Sequence, residues 1–412
     1  MKKPNRLLFI VILLTTFAMM FVLPPLVRKA TVSNDKYPFV YYSSQLKELC
    51  LIDYSNKETP MESVSGQKYS TTEFDSLVPL LNYRQLMSDG RLPDSICGVS
   101  AEPRNLMLNS VVLRYEPKEM LKPTTGIYAM LETMPTRVGL KQPTDLFRIH
   151  DKIEFIDAAT NTIDYKKSEL FQKEMLKRGY QFPTQLAKGD ANTRKSYDEG
   201  YFCLDAKGDL YHVKMVNGRP FVKNTEASKE IDIAYFATYN PASKRFYGYM
   251  LSKQGEMFIL ESDEQGGYRT LKLDIGIVDI ENEKVQIMGN ILYWTISITN
   301  NNERRFVALR SDDLSSVASY TIDREQNAWD AISKYVLPFS LSFEDENSEY
   351  IYPRISFAGV GALCVSIFLA LLSLFIWRRE QLKTRIFSAL LIAISGVAGL
   401  IAVAILPKFK NH

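Results

Sequence analysis

Three long apolar stretches dominate the pattern of hydrophobic and polar positions along the chain. One lies at the N-terminus, from Leu7 to Val27, and two follow each other at the C-terminus, from Ile355 to Trp377 and from Ile386 to Leu406. Each is as long as the about 20 residues that a helix needs to cross a hydrocarbon layer, and none contains a charged residue. The pattern predicts three transmembrane α-helices with a polar segment between the first and the second.

Within this polar segment, apolar and polar residues alternate in short runs that are separated by turn residues. The alternation is visible over residues 145–164, 200–223 and 246–260. Asn217 and Gly218 stand between two such runs, and an Asn-Gly pair in that position is a strong signal for a β-hairpin. The segment is therefore predicted to be mainly β.

A weak internal repeat runs through the same segment. Gly208, Gly255 and Asn302 are turn residues that follow each other at intervals of 47 positions. A period in the upper forties is typical of a four-stranded propeller blade. The sequence leaves two arrangements open, a propeller-like one and a multi-sheet one.

Two helical insertions interrupt the predicted strands. Ser70 and Glu73 form a capping-box pattern before an apolar run that ends near Gly90, and Pro79 is expected to kink or shorten this helix. The second predicted helix runs from Lys167 to Arg178. We expect both helices to pack against the sheets.

These elements divide the chain into five segments. We predict an N-terminal transmembrane anchor (1–29), an extracytoplasmic β-rich domain (30–345), an acidic linker (346–354), a transmembrane helical hairpin (355–407) and a tail (408–412). A cleaved signal peptide remains the alternative for the first segment, because it has a basic start and an apolar core. Its length and the pair Pro24-Pro25 favour a retained span.

The distribution of charge predicts the orientation of the chain. Basic residues are concentrated before the first apolar stretch and between the last two: Lys2, Lys3, Arg6, Arg378, Arg379, Lys383 and Arg385. Lys and Arg near the ends of a span favour the cytoplasmic side of a membrane. Residues 30–352 contain 46 acidic residues against 38 Lys and Arg. We expect this domain outside the cytoplasm, with the lipid bilayer as a partner of the chain and no role for nucleic acid.

Small residues recur on the C-terminal stretches: Ala358, Ala362, Ser366 and Ala370 at every fourth position of the second stretch, and Ser395 and Gly399 on the third. Such faces allow helix backbones to approach closely within a membrane. Two interpretations remain open. The two helices pack on each other, or one face binds another membrane protein such as a permease.

The sequence carries few signs of catalytic or metal-binding chemistry. His150 and His212 lie on predicted hairpins without a second His or Cys at ligand spacing, so we predict no metal site and no cofactor. Since His212 alternates with Leu210, we expect it to face outward. No nucleotide-binding or nucleophile-elbow motif is present. We predict a non-enzymatic protein, and a carboxylate-dependent hydrolase is the alternative because its acids come from distant strands.

The four cysteines bound the possibilities for disulfide bonds. Cys364 lies in the second apolar stretch and is expected to be a small packing residue. Cys50, Cys97 and Cys203 lie in the β-rich domain and allow one internal pair, of which Cys50 with Cys97 is conceivable. We favour reduced, buried cysteines on strands.

Five phrases of sequence point to a known family: Tyr37 to Ser44, Phe74 to Met87, Pro143 to Ile149, Tyr197 to Tyr201 and Gly218 to Val222. They resemble an uncharacterised Bacteroidota membrane-protein family, which is classed as a domain of unknown function, over roughly residues 1–340. The resemblance implies a bacterial envelope protein encoded near ABC-type transport components. It implies no functional residues, and the C-terminal stretches lie outside it.

Together these observations lead to one leading hypothesis. We expect a multi-pass protein of the bacterial inner membrane with a periplasmic β-rich domain, acting as a non-enzymatic accessory subunit of an ABC-type transport complex. The alternatives are an envelope sensor or ligand-binding module and, third, a hydrolase.

Overall fold

The computed structural model describes most of the chain. The described residues are 6–31, 38–54, 58, 60–120, 122, 126–133, 140, 142–143, 145–195, 197–239, 243–323, 328–343 and 349–405. Two compact units are present. The β unit comprises residues 38–323, and the helical unit comprises residues 1–37 and 324–412. Residues 346–348 of the predicted linker and the whole predicted tail lie outside the described residues.

The helices and strands follow each other in a fixed order along the chain. The first part contains α1 (Arg6–Thr31), β1 (Phe39–Ser43), β2 (Glu48–Ile52), β3 (Met61–Ser63), β4 (Lys68–Tyr69), α2 (Thr71–Leu77), α3 (Tyr83–Ser88), β5 (Ser95–Ile96), β6 (Val99–Ser100), α4 (Pro103–Leu108), β7 (Val111–Tyr115), β8 (Tyr128–Met130), β9 (Asp145–Ile149), β10 (Ile153–Asp157), β11 (Thr162–Asp164) and α5 (Tyr165–Lys177). The second part contains β12 (Leu186–Gly189), β13 (Tyr201–Leu204), β14 (Leu210–Val216), β15 (Arg219–Asn224), β16 (Ile233–Thr238), β17 (Phe246–Ser252), β18 (Met257–Ser262), β19 (Tyr268–Lys272), β20 (Lys284–Gly289), β21 (Tyr293–Thr299), β22 (Glu303–Arg310), β23 (Ser316–Asp323), α6 (Ala328–Val336), β24 (Phe339–Ser342), β25 (Arg354–Phe357), α7 (Val360–Ile376), α8 (Leu382–Ser395) and α9 (Val397–Ile405).

The β unit consists of antiparallel sheets in which strands that are consecutive in the chain are also neighbours. Four sheets have four strands each: β1–β4, β8–β11, β12–β15 and β16–β19. The fifth contains β20–β23 and takes β7 as an additional strand next to β20, with Tyr115 opposite Val285. The prediction of a mainly β domain is confirmed.

The internal repeat corresponds to a recurring position in the sheets. Gly208, Gly255 and Asn302 all lie in the turn between the second and third consecutive strands of successive sheets, namely β13–β14, β17–β18 and β21–β22. Gly208 and Gly255 have φ values of +86° and +84°, which residues with a Cβ rarely adopt. The 47-residue period therefore corresponds to the repetition of a four-stranded antiparallel meander along the chain.

The multi-sheet alternative describes the fold, and the propeller-like alternative is wrong, because the described strands close neither into a propeller nor into a barrel. The first sheet lies face to face on the fifth. Val40 and Tyr42 pack against Phe306 and Ala308, and the Tyr42 N–H donates a hydrogen bond of 3.0 Å to Thr295 Oγ1.

Both predicted helical insertions are present. Ser70 caps α2, with its hydroxyl and the Glu73 carboxylate forming the reciprocal capping box. The first insertion is divided into α2 and α3, as expected from Pro79 between them. The second is α5, which begins after the N-cap residue Asp164 and packs Phe171 into the core of the β unit. The short helix α4 was not predicted.

The helical unit corrects the prediction of three spanning helices. Within the described residues, one helix is long and apolar enough to cross a membrane, Phe9–Thr31, with a mean hydropathy of 2.4. A membrane anchor and a signal sequence both fit this observation. The two C-terminal stretches form shorter helices, since α7 has 17 residues, α8 has 14 and α9 has 9.

Local backbone geometry explains why these C-terminal helices are short. Ile355 lies in strand β25, which pairs with β24, so the second stretch does not begin as a helix. Gly359 follows with φ +115°, and α7 starts only at Val360. Gly396, at φ +60° and ψ −132°, separates α8 from α9. The mean hydropathy of an apolar run does not reveal such breaks in a helix, because a single glycine within the run does not interrupt its apolar composition.

Candidate functional site

The predicted small-residue face lies largely inside the helical unit. Ala362 and Ser366 are fully buried on α7, and Ala370 is 7% exposed. Gly399 is buried on α9, whereas Ala358 precedes α7 and is exposed. Helices α7 and α8 contact each other, and Ala370 of α7 packs with Ile392 of α8. The binding of another protein there stays a prediction.

The outer surface of α7 has the opposite composition. Ile367, Phe368, Leu371 and Phe375 are between 52% and 69% exposed. The same distribution holds for α1, where Phe17 is half exposed while Thr16 is buried. In a water-soluble bundle, large apolar side chains face inward. On α7 the buried residues are therefore small or hydroxyl-bearing and the large apolar residues are exposed, whereas Ile12, Ile392 and Val403 of the other helices are buried.

The buried hydroxyl groups are satisfied within their own helices. Ser366 Oγ donates to the Ala362 carbonyl over 2.7 Å, and Ser373 Oγ donates to the Ala370 carbonyl over 2.6 Å. Ser395 Oγ donates to its own helix in the same way. Serine back-bonding of this kind requires no water or partner helix, so it suits helices in an apolar medium. Because these hydroxyl groups bond within their own helices, the contacts between helices depend on side-chain packing.

A cleft of about 400 Å³ in the β unit is the second candidate site. The hairpin β9–β10 forms one wall, and β12 with the residues just before it forms the other. The backbone fixes the two walls to each other, because the Thr184 N–H donates to the His150 carbonyl over 2.8 Å. Tyr128 of β8 adds an aromatic ring to the lining.

Three of the charged residues that line this cleft form an ion-pair network. Glu154 accepts a hydrogen bond of 2.6 Å from Arg148 Nε and one of 2.8 Å from Lys152 Nζ. The bonds from Lys152 and Arg148 lower the pKa of Glu154 below its usual range. Glu154 therefore stays ionised at neutral pH and is a poor general acid. The arrangement is suited to binding a polar ligand, not to proton transfer.

His212 faces inward, which corrects the expectation that it points outward from its strand. It is 1% exposed, and its ring stacks on Phe202 with centroids 4.3 Å apart. Its Nδ1 lies 2.7 Å from Tyr268 Oη, and its Nε2 lies 2.5 Å from the Glu199 carbonyl oxygen. Both faces of β14 are buried, so the alternation of residues along this strand does not indicate which side chains face the solvent.

The hydrogen bonds determine the state of the His212 ring. A carbonyl oxygen only accepts, so Nε2 carries the proton and Nδ1 accepts from the Tyr268 hydroxyl. Burial lowers the pKa of His212 to about 3, and burial raises the pKa of Tyr268. The pair is a neutral link between sheets β12–β15 and β16–β19. Neither group is poised to exchange a proton at neutral pH.

The remaining buried ionisable groups are similarly committed to structure. Asp198 Oδ1 accepts from the Gly200 N–H over 2.8 Å, and Asp198 Oδ2 pairs with Lys195 at 3.0 Å. Burial raises the pKa of Asp198. No group of three or more His, Cys, Asp or Glu side chains that could hold a metal ion occurs among the described residues.

The cysteines are not bonded to each other. Cys50 on β2 and Cys203 on β13 are buried, as the sequence predicts for reduced cysteines on strands. Burial raises the pKa of each of these two thiols to about 12. Cys97 is free but exposed, and it lies in the turn between β5 and β6, so the expectation that it is buried on a strand is wrong. Cys364 is exposed on α7.

Sequence reasoning missed the ion pair that lines the cleft. Arg148 and Glu154 are cross-strand partners in the β9–β10 hairpin. Opposite charges in such cross-strand positions attract, but the register that brings these two side chains together depends on a loop at residues 150–152. The facing strand β12 is more than thirty residues away in the chain, and no local pattern indicates it.

Comparison with known proteins gives one match. A family model described as a domain of unknown function, DUF4857, matches residues 39–309, which is more than half of the chain. The matched residues lie within the β unit. A search of curated proteins finds no match to this chain.

Proposed function

We propose that this chain, a member of the DUF4857 family of unknown function, is a membrane-embedded accessory subunit of an inner-membrane transport complex. In this proposal the protein is not an enzyme. The observation that carries the proposal is the inverted packing of α7 in the helical unit. On α7 the large apolar side chains are exposed and the small ones are buried, which favours lipid as the medium of this unit.

The extent of the exposed apolar surface supports embedding of more than α1 alone. On α7, Phe368 is 64% exposed and Phe375 is 69% exposed. Leu390 and Ile394 continue this surface on α8, at 61% each. Soluble proteins rarely expose contiguous apolar patches of this kind. We infer that α1 and the group α7–α9 lie together in the bilayer, although the last two helices are individually short.

Charge supports an extracytoplasmic position for the β unit. The turn between α7 and α8 contains Arg378, Arg379 and Lys383, which favours the cytoplasmic side for that turn. An acidic β unit on the other side is the matching arrangement. The proposed location is the bacterial inner membrane, as the resemblance to envelope proteins implies.

The electrostatics of the cleft support a binding role over catalysis. Its buried acid, Glu154, is held ionised by Lys152 and Arg148. A glycosidase-type mechanism needs one carboxyl group with a raised pKa beside an ionised one. The buried acid with a raised pKa, Asp198, belongs to a separate ion pair with Lys195. A hydrolase is accordingly the least favoured of the three hypotheses.

Labelling of Cys97 in intact cells tests the orientation. Cys97 is the exposed cysteine of the β unit, so a charged, membrane-impermeant maleimide should react with it from outside the inner membrane once the outer membrane is opened. The variant Cys97→Ser should lose this signal. Labelling that appears only after lysis contradicts the proposed orientation.

Purification in a mild detergent tests the partner. We expect a transport permease to be recovered together with the full chain, and recovery of the chain alone counts against the accessory role. Milder extraction into nanodiscs controls for loss of the partner. A chain that stays monodisperse without detergent contradicts membrane embedding itself.

The cleft favours a second candidate, a ligand-binding sensor module. A ligand that binds between the β9–β10 hairpin and β12 should raise the melting temperature of the full chain in detergent. The variant Arg148→Gln should reduce this shift. Arg310→Gln, which removes the exposed pair with Asp313 in another sheet, is the matched control and should leave the shift unchanged.

A further inference from the structure

The helical unit contains a small non-helical segment that leaves several large apolar side chains exposed, although Phe357 also contacts Phe339 across the two strands. Strands β24 and β25 form an isolated two-stranded sheet. Ile355 is 77% exposed and Phe357 is 52% exposed on β25, and Ile351 just before it is 80% exposed. These residues directly precede the outward apolar face of α7. The exposed apolar surface therefore continues beyond the helix into the sheet.

An isolated two-stranded sheet cannot lie in the hydrocarbon layer. Each of its strands has an outer edge whose backbone N–H and C=O groups need hydrogen-bond partners, and the hydrocarbon layer offers none. The sheet also brings polar side chains together, since the hydroxyl groups of Ser340 and Ser356 are 2.5 Å apart. The sheet must therefore lie at a depth in the bilayer where both apolar contacts and water are present. The headgroup layer of a bilayer is such an environment.

The side chains around the sheet have the composition of a membrane interface. The Arg354 guanidinium lies 4.1 Å over the Tyr352 ring, and Tyr335 on α6 is 54% exposed. Tyr and Trp are enriched at the headgroup level, where an apolar ring and a polar tip are both accommodated. Helix α6 adds Trp329 and Lys334 along the same small cleft beside the sheet.

We propose that α6, β24 and β25 form an interfacial collar, in which Ile351, Ile355 and Phe357 insert between phospholipid headgroups at one end of the helical unit. The partner is the headgroup layer of a phospholipid bilayer. This inference rests on the proposed embedding of the helical unit. It also explains why the apolar stretch from Ile355 does not begin as a helix: its first residues lie at the interface and not in the span.

Spin-label accessibility measures the depth of each position. The labels are placed in the full chain at Ile355→Cys, Phe357→Cys and, in the same segment, Ile351→Cys. The background carries Cys97→Ser and Cys364→Ser, since Cys50 and Cys203 are buried. The chain is reconstituted in vesicles of phosphatidylethanolamine and phosphatidylglycerol, and each label is relaxed by molecular oxygen or by a water-soluble nickel complex.

Two further labels act as depth references. Phe368→Cys lies on the outer face of α7, and Ile277→Cys lies at an exposed position of the β unit. We expect the ratio of oxygen to nickel relaxation to be highest at 368, lowest at 277 and intermediate at 351, 355 and 357.

The outcomes separate the two proposals. A low ratio at 368 contradicts the embedding of the helical unit and therefore the proposed function. A high ratio at 368 together with ratios at 355 and 357 like that at 277 overturns the interfacial collar alone. Exclusion of both reagents at 355 and 357 indicates that protein covers these side chains, which also overturns it.

Discussion

Acidification should destabilise the β unit through one side chain, His212. In the folded chain the pKa of His212 is lowered to about 3 because the ring is buried, whereas an unfolded chain titrates near the usual value of 6.5. Between these values the unfolded state binds a proton that the folded state does not. This contribution to stability is complete above pH 6.5 and is lost as the pH falls towards 3.

The size of the effect follows from the shift. Each pH unit within the window changes the free energy of unfolding by about 1.4 kcal/mol for one proton. Over the whole window His212 accounts for a loss of roughly 5 kcal/mol. A protonated ring would also lose the hydrogen bond from Tyr268, because Nδ1 would no longer accept it.

Denaturant unfolding at several pH values provides the assay. Fluorescence of Trp294, which is buried in the β unit, reports its unfolding in a full-length chain that carries Trp329→Phe and Trp377→Phe in detergent. The variant His212→Gln should be less stable at pH 7 but should depend less steeply on pH below 6.5. His150→Gln is the matched control, since that ring is exposed, and its curve should keep the slope of the unmodified chain.

Parallel curves for the unmodified chain and His212→Gln between pH 4 and 6.5 would refute this reasoning. A pKa of His212 near 6.5 in an NMR titration of the folded chain would refute it as well. In either case the ring would be accessible to water, and its hydrogen bonds would not fix its protonation state.

Three further outcomes follow from the geometry of the β unit. Ser70→Ala should remove the cap of α2 and lower the free energy of unfolding by about 1 kcal/mol, measured by chemical denaturation; an unchanged value means that α2 contributes no stability through its cap. Gly248→Ala should lower the free energy of unfolding by about 1–3 kcal/mol in the same assay, because the added Cβ would clash with the backbone carbonyl oxygen of Ala237 on β16. Full retention of stability would show that the two strands separate easily. With a charged thiol reagent, Cys97 should react in the folded chain, whereas Cys50 and Cys203 should react only after unfolding; fast reaction of all three contradicts their burial.

Features encoded by neighbouring residues were predictable from the sequence. The capping box at Ser70 and the hairpin turn at Asn217 each depend on fewer than six consecutive residues, and both are present. The 47-residue period indicated the four-stranded meanders. The local chemistry of turns and caps is sufficient for such features, because they form without help from distant parts of the chain.

Features that depend on distant residues were not predictable. The burial of His212 results from sheet β16–β19, which supplies Tyr268 more than fifty residues later. The cleft needs β12 to face a hairpin that ends 29 positions earlier in the chain. The limits of α7 depend on β24, which draws Ile355 into a strand. Hydropathy averages over a window contain none of these contacts.

The pairing of β7 with β20 determines when the chain can complete its fold. Tyr115 and Val285 are 170 positions apart, and three complete sheets lie between them in sequence. During synthesis β7 is made long before its partner β20. Until then β7 is unpaired, and so are its inward side chains, Val111, Leu113 and Tyr115. Long-range pairing of this kind slows folding and leaves an open edge that favours aggregation. A chain terminated before Lys284 lacks the partner of β7 and should therefore aggregate more readily than the full-length chain.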